Sequence, residues 1–417
     1  MLLFSTATVL AADGTPTVKR LSGTDRYATS AAIALSGWTQ SDYAILASGE
    51  NFPDAISAAP LAKKYNAPIL LTETNSIPSD TLNAIQQLKI KNIIIIGGTG
   101  SVSTAVDQQL TSSGIVVTRI AGQDRYETCI KVAEQLDNVN EIAIVTGESF
   151  PDALSISPIA IKRNMPIILV NHNGIPDVVK NYINSHKLAT TYFIGSGTSL
   201  NNTVLTGLSN VELITGDDKY QINLNIIDKF KSDLDLSTVY LASGENFPDA
   251  LSGSILSGKN SNPLVLVGNN PSAEKEYFTN NSSAISNINV LGGTGVISDE
   301  VVNELIGKSA ASTPSSITSE ANEIKFISTN LTKTGTNTAT FQYEVLDKNG
   351  ADITKSIPTS EIIGVATFSS SVTLDPSTGI GTITFDSSYD TDKTVIVTLI
   401  DVVARESIRI NYPPINK

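Results

Sequence analysis

The chain has 417 residues, 41% hydrophobic and 17% charged, with 28 Lys and Arg against 41 Asp and Glu for a formal net charge of −13. That apolar content supplies real cores and excludes wholesale disorder, while the acidic balance argues against a non-specific nucleic-acid binder, which needs a basic footprint. One cysteine, Cys129, and two histidines, His172 and His186, exclude an internal disulfide and a paired-cysteine metal site and argue against a His-based relay, so neither a catalytic centre, a metal site nor a cofactor is expected.

Residues Leu2 to Ala12 (LLFSTATVLAA) read as the tail of a secretory signal peptide, with small residues Val9, Ala11 and Ala12 around a cleavage position. No basic stretch precedes the apolar run, and a hydrophobic N-terminus is the alternative. Residues 1–12 are therefore expected to be a leader remnant of a secreted protein. No other stretch reaches the ~18 apolar residues that a membrane span needs, so no span is expected. A secreted chain with one cysteine suits a Gram-positive surface better than a disulfide-rich module. The end of the chain (NYPPINK) shows no hydrophobic tail and no sorting sequence, so surface retention is expected to be non-covalent.

Four motifs then recur three times in the same order. Arg20-Leu21-Ser22-Gly23-Thr24-Asp25-Arg26-Tyr27 returns at Arg119 to Tyr126 and, weakened, at Leu213 to Tyr220. Gly49-Glu50-Asn51-Phe52-Pro53-Asp54-Ala55 returns at Gly147 to Ala153 and Gly244 to Ala250. Pro68-Ile69-Leu70-Leu71 returns at Pro166 to Leu169 and Pro263 to Leu266, and Gly97-Gly98-Thr99-Gly100 returns at Gly195 to Thr198 and Gly292 to Gly295. The period, near 98 residues, is too long for a solenoid repeat of ~20–50 residues and is the size of a small domain. The expected division is repeat 1 over 18–117, repeat 2 over 118–211, repeat 3 over 212–309, a small-residue linker over 310–319 and a separate module over 320–417.

Within the first copy, Tyr43 to Ala47, Pro68 to Thr72 and Ile93 to Ile96 read as buried strands. Pro53 and Pro78 each open a helix, since proline lacks only an N–H that would be unpaired there. Near-continuous apolar strands alternating with amphipathic helices imply a parallel α/β sheet covered on both faces. The loops at 23–26, 49–54 and 97–100 each follow a strand and precede a helix. They therefore fall at the carboxyl edge of the sheet, where open α/β sheets bind ligands.

Several chemistries are open for those loops. A nucleotide loop is disfavoured because the third glycine position falls on Ser103 and no Walker lysine follows. The loop reads either as a tight turn with Ser103, Asn201 and Ser298 as N-caps or as a weak anion site built on free N–H groups. Gly98, Thr99, Gly293 and Thr294 are its candidate contacts. Arg26, Arg125 and Lys219 are cations that either pair with Asp54, Asp152 and Asp249 to brace two loops or offer their charge to an anionic oxygen; Lys219 lacks the guanidinium fork. Tyr27 and Tyr126 either stack on a sugar or belong to the core. Glu50, Glu148 and Glu245 beside the aspartates raise the paired carboxylates of a glycosidase, a reading weakened by threefold repetition. Cys129 reads as a small buried hydrophobe.

Beyond residue 320, Thr340 to Val345 alternates, Asp347-Lys348-Asn349-Gly350 and Asp375-Pro376-Ser377-Thr378-Gly379 read as turns, and about seven short strands suggest an Ig-like β-sandwich. It has no His and no Cys, and a spacer or display role is expected.

The order of these motifs closely resembles the clostridial cell-wall-binding repeat 2 family. The resemblance covers residues 18 to about 309. It implies three units packed as a pseudo-threefold trimer that anchor surface-layer and related proteins non-covalently to an anionic polysaccharide of a Gram-positive wall. Location at the wall or surface layer follows, with surface-layer proteins or a host surface as further partners. The family implicates the Pro-Ile-Leu-Leu segment in anchoring, whereas its residues alone read as a buried strand. The departures at Asp217-Asp218-Lys219 and Ser196 put equal binding by all three copies in question. An adhesin working through the last module and, further off, a wall-degrading enzyme are the alternatives. Residues 318–417 carry 8 basic and 12 acidic residues and residues 1–317 carry 20 and 29. Neither part is basic, so an anionic ligand must be held by a few placed cations and N–H groups.

Overall fold

The computed structural model describes residues 15–172, 174–196, 208–268 and 271–308, and, further on, 321–328, 330–334, 338–347, 350–356, 362–366, 369–385, 395–401 and 406–412. The leader-like segment 1–12, the linker 310–319 and the Asn201 cap lie outside them. The chain forms two compact units, Met1–Ala311 and Ser312–Lys417.

Among its described residues the first unit has twelve strands in three four-stranded sheets, all parallel. In chain order they are β1 (Thr17–Leu21), β2 (Tyr43–Ser48), β3 (Ile69–Thr72), β4 (Asn92–Ile96), β5 (Val116–Ile120), β6 (Glu141–Thr146), β7 (Ile167–Val170), β8 (Thr190–Ile194), β9 (Val211–Ile214), β10 (Thr238–Ser243), β11 (Leu264–Val267) and β12 (Asn287–Leu291). The sheet orders are β3-β2-β4-β5, β7-β6-β8-β9 and β11-β10-β12-β1. Each sheet thus ends on the strand that leads into the next copy's first helix. The third sheet is completed by the strand at the other end of the unit: β1 pairs with β12 in register from Thr17–Asn287 to Leu21–Leu291. Three tandem copies close into a ring by passing one strand forward.

Ile93 to Ile96, Ile142 to Val145 and Val239 to Ala242 are buried along their length, which is what a run without polar alternation requires of a parallel strand covered on both faces. The helix after the second motif departs from expectation in one copy. It runs unbroken over Pro151–Arg163 and Phe247–Lys259. In the first copy Pro53 opens no helix: a 3-10 turn at Ala55–Ser57 precedes a short helix, Ala59–Lys64, with Pro60 near its start. Pro60 has no N–H to continue the ladder, which suits a fresh helix start. The second copy nevertheless carries Pro158 inside its helix.

These three helices meet at an axis. The rings of Phe52, Phe150 and Phe247, one from each second motif, form a triangle with centroid separations of 5.6, 5.8 and 6.2 Å. The equal roles of equivalent residues establish the pseudo-threefold arrangement.

The second unit is all-β. Strands β13 (Ala321–Phe326), β14 (Thr332–Lys333), β15 (Thr338–Asp347), β16 (Ile362–Ala366), β17 (Ser369–Asp375), β18 (Ile380–Phe385), β19 (Val395–Asp401) and β20 (Glu406–Tyr412) form two antiparallel sheets. Phe341, Tyr343, Val345 and Ile383 of one sheet share a core with Val395, Val397 and Leu399 of the other. The Asp375 turn is present, with the Asp375 carboxylate accepting from Ser377 N–H at 3.0 Å and Gly379 at φ +67°; residues 348 and 349 of the other turn lie outside the described residues.

Candidate functional site

The junction between copies is built from the first motif. Its aspartate is the helix N-cap: Asp25 accepts from the N–H groups of Tyr27 and Ala28, Asp124 from Glu127, and Asp218 from Tyr220 and Gln221, satisfying donors that a helix start leaves open. The glycine two residues earlier is a steric requirement. A Cβ on Gly23 would lie 2.5 Å from Ala28 C, and one on Gly122 2.5 Å from Thr128 N. The second motif starts on a hydroxyl turn, with Ser48, Thr146 and Ser243 accepting from the N–H of Glu50, Glu148 and Glu245 at 3.1, 3.2 and 3.1 Å.

The glycine loop is laid over the strand arriving from the neighbouring copy. Gly97 N–H donates to Ile120 O and Gly292 N–H to Leu21 O, both at 2.9 Å. Beneath each of these two loops sits the arginine that opens the first motif, whose partners repetition alone did not show. Arg119 donates to Gly97 O at 2.8 Å and pairs with Asp107; Arg20 donates to Gly292 O at 2.9 Å and pairs with Asp299 at 2.6 Å. The third occurrence has Leu213 there, an exposed side chain. Its loop, residues 197–207, lies outside the described residues.

The glycines of the loop divide in two. Gly97 at φ +111° and Gly292 at φ +94° stand in the left-handed region, and a Cβ there would lie 2.7 and 2.3 Å from Oδ2 of Asp54 and Asp249; only glycine fits. At Gly98, Gly100, Gly293 and Gly295 a Cβ would meet nothing within 4 Å, and Ser196 stands at the equivalent of Gly98 in the second copy. Folding does not require glycine at these four positions. The N–H groups of Gly98, Thr99 and Gly100, and of Gly293, Thr294 and Gly295, have no acceptor among the described residues, whereas the next residues, Ser101 and Val296, bond back to Gly98 O and Gly293 O. Ser103 occupies the N-cap position without making the capping bond, its Oγ buried and unpaired, while Ser298 caps Val301 N–H at 3.3 Å.

The aspartates stand behind these loops. Asp54 accepts from Ser101 Oγ at 2.9 Å, tying the second motif to the glycine loop. Val296 replaces that serine in the third copy. Burial pushes the carboxyls of Asp152 and Asp249 up to about 6, an effect on Asp249 partly offset by the nearby Arg26 guanidinium. Arg26 belongs to the first copy and Asp249 to the third, so this junction is completed through the ring closure.

Arg26 and Arg125 do not pair with the aspartates. Each donates through Nη1 to a main-chain carbonyl, Gly49 O and Gly147 O. Lys219 instead forms an ion pair with Glu245 at 2.9 Å, joined by the Tyr220 hydroxyl. Tyr27 and Tyr126 are half-buried against the core and lie close over Gly49 and Gly147; burial, and then the neighbouring Glu50 or Glu148, raises both phenols above their usual range. The three glutamates take three different partners: Thr74 Oγ1 for Glu50 at 2.8 Å, His172 Nδ1 for Glu148 at 2.8 Å, and the Lys219–Tyr220 pair for Glu245. A shared acid–base pair would need equivalent surroundings, and these are not equivalent.

The Pro-Ile-Leu-Leu segments are the inner edge strands β3, β7 and β11, buried throughout. Their free edges are capped by the equivalent residue of each copy's first helix. Ser30 Oγ donates to Ile69 O at 3.2 Å, Cys129 Sγ to Ile167 O at 3.1 Å, and Asn223 Nδ2 to Leu264 O at 2.9 Å. Cys129 is therefore more than an apolar filler, and burial drives its thiol up to about 12. The serine two residues past the second motif reaches the same residues across copies: Ser57 bonds Cys129, Ser155 accepts from Asn223 Nδ2 at 3.0 Å, and Ser252 donates to Ser30 at 3.0 Å. That serine returns in all three copies of the sequence, and its role is set by the ring.

Comparison with known proteins places this geometry. A family model described as cell wall binding domain 2 (CWB2) matches residues 20–107, 119–205 and 214–302. The chain is 34% identical over 289 residues to the N-acetylmuramoyl-L-alanine amidase LytC of Bacillus subtilis, covering 69% of this chain and 58% of that protein. It is 32% identical over 300 residues to the amidase enhancer of the same organism, covering 70% and 41%. Among solved structures, Cwp6 from Clostridium difficile aligns with a TM-score of 0.65 at 32% identity, over 70% of this chain and 48% of that one. Cwp8 from the same organism aligns with a TM-score of 0.63 at 25% identity, over 70% and 51%. The chain thus spans about half the length of these relatives.

Proposed function

Since the chain belongs to the cell wall binding domain 2 family, and its first unit is accordingly a cell-wall-binding module, we propose that it anchors non-covalently to an anionic polysaccharide of a Gram-positive wall through the glycine loops at the copy junctions. The observation that carries this reading is the set of three successive N–H groups, at Gly98–Gly100 and again at Gly293–Gly295, that have no acceptor among the described residues and include four glycines that the fold does not need. Successive main-chain N–H groups form an anion-binding concavity, and glycine lets a polymer approach the backbone closely. Arg125 and Arg26 beside the loops, bonded to main-chain carbonyls rather than to carboxylates, supply placed positive charge in a chain of net charge −13, whereas Arg119 and Arg20 beneath the loops are held by Asp107 and Asp299.

The copies differ in what they offer. Lys219 is neutralised by Glu245, and Leu213 stands where the other junctions have arginine. The middle junction is therefore the weakest contributor. The all-β unit is read as an Ig-like display module carried at the surface layer. The test is retention of the full chain by purified walls before and after extraction of their anionic polymer. Loss of retention on extraction, and weakening as salt screens the charges, supports the proposal; retention by stripped walls rejects it.

A further inference from the structure

The end of the pseudo-threefold axis opposite the glycine loops carries a second set of cations. The central helices lead away from the motif loops and carry Lys63, Lys162 and Lys259 in their last turns, about 18 Å from the start of the 13-residue helices of the second and third copies at ~1.5 Å per residue. Each lysine reaches into the next copy. Lys63 Nζ donates to Lys162 O at 3.1 Å, Lys162 Nζ to Ser261 Oγ at 3.1 Å, and Lys259 Nζ to Gly37 O at 2.8 Å, with its ammonium 4.4 Å from the Trp38 ring centroid. The series runs from copy one to two to three and back to one. It surrounds a cavity of about 210 Å³, also lined by the polar Asn66 and Ser261 and by the apolar Trp38, Ile161 and Ile255.

Two roles compete for this ring. Lysines at helix C-termini complement the helix dipole, and one bond each across a copy boundary makes a staple. That role leaves two N–H groups on every ammonium. It also leaves the absence of any carboxylate unexplained: none of the three lysines forms an ion pair among the described residues, in a chain with excess acid. By contrast Lys64 and Arg163, the adjacent residues, are both paired with aspartates of the next copy, Asp137 and Asp233. Burial holds Lys63 and Lys259 below the usual lysine range, and the Lys162 ammonium depresses Lys63 further. Like charges are thus crowded around a cavity with one apolar wall and with room for several waters at ~30 Å³ each.

We propose that this cavity is an anion site for one phosphoryl group per chain, held by Lys63, Lys162 and Lys259 and separate from the junction loops. A phosphoryl group presents several strong acceptor oxygens, and lysine is an established point-charge partner for it. The source is either free phosphate or a phosphate carried by a wall polymer. The site stands whether or not the glycine loops bind the wall.

The experiment is amine labelling of the full chain at low ionic strength, with inorganic phosphate as the probe and mass spectrometry as the readout. Phosphate should slow methylation of the three lysines several-fold relative to Lys89, with saturation at one phosphate per chain by titration. Lys162→Gln should weaken that binding by about tenfold. Arg26→Ala with Arg125→Ala should leave it unchanged. Protection by a purified wall-polymer fragment as well assigns the polymer as the source, and protection by phosphate alone assigns the free anion. Equal labelling with and without phosphate in the wild-type chain overturns the proposal, as does protection that disappears in the double arginine variant.

Discussion

The seam along the pseudo-threefold axis and the crown of loops at the sheet edges are made from the same motifs, yet they use them differently. At the seam every repeated residue has a partner that explains it. The three phenylalanines meet one another, and Ser57, Ser155 and Ser252 bond Cys129, Asn223 and Ser30 of neighbouring copies. Pro-Ile-Leu-Leu strands are buried edges capped by those same side chains. In the crown, Gly97, Gly292 and the capping aspartates are explained in the same way, while Gly98, Gly100, Gly293 and Gly295 are not. Repetition marks both what assembly needs and what a ligand needs; only the three-dimensional contacts separate the two.

The largest expected break lies at the seam's closure. Removing residues 1–22 deletes β1, exposes the edge of β12 and takes away the Arg20 brace. We expect a loss of about 5 kcal/mol or more of stability, read as an early-melting third copy in thermal unfolding; an unchanged transition would show that the ring does not depend on the exchanged strand. Next, Phe247→Ala should cost about 3 kcal/mol in chemical denaturation, since it removes the buried ring of the triangle and leaves a hole that neither Phe52 nor Phe150 can fill.

Asp249 gives a pH-dependent contrast. Its carboxyl is raised to about 6 from an ordinary 3.8, so the folded chain holds more protons than the unfolded one between those values. This group's contribution therefore falls as pH rises from about 4 to about 6 and is flat above. Asp249→Asn removes that fall and should raise stability at pH 7 by about 2 kcal/mol, checked by melts across pH 4 to 7. A destabilised variant would mean that the carboxylate is held by contacts worth more than its burial costs. Smaller again is the edge cap. Cys129→Ser should be tolerated within about 0.5 kcal/mol, because Ser30 performs the same task in the first copy, whereas Cys129→Val leaves Leu169 N–H unpaired and should cost about 1–2 kcal/mol.

Much of this was legible before any coordinates. Four motifs in register give three copies, and continuous apolar runs such as Ile93–Ile96 give parallel strands between helices. What was hidden is non-local. Nothing near Thr17–Leu21 says that it pairs 270 residues away with Asn287–Leu291. The arginines at 26 and 125 invited pairing with the aspartates because charge is visible in a sequence and a carbonyl acceptor such as Gly49 O is not. The bracing role of arginines 20 and 119 was masked because their partners are not equivalent residues: Asp299 is the first residue of its helix, whereas Asp107 lies three residues after the first of its own. The break at Pro60 also resisted reading, since Pro158 sits unbroken in an equivalent helix.

The central claim is that the loop glycines serve the ligand rather than the fold. It is tested by Gly98→Leu with Gly293→Leu in the full chain, measuring wall retention beside thermal stability. The account predicts a melt within about 0.5 kcal/mol of the parent together with wall binding weakened by about tenfold or more. A folded double variant that binds walls as well as the parent would contradict it.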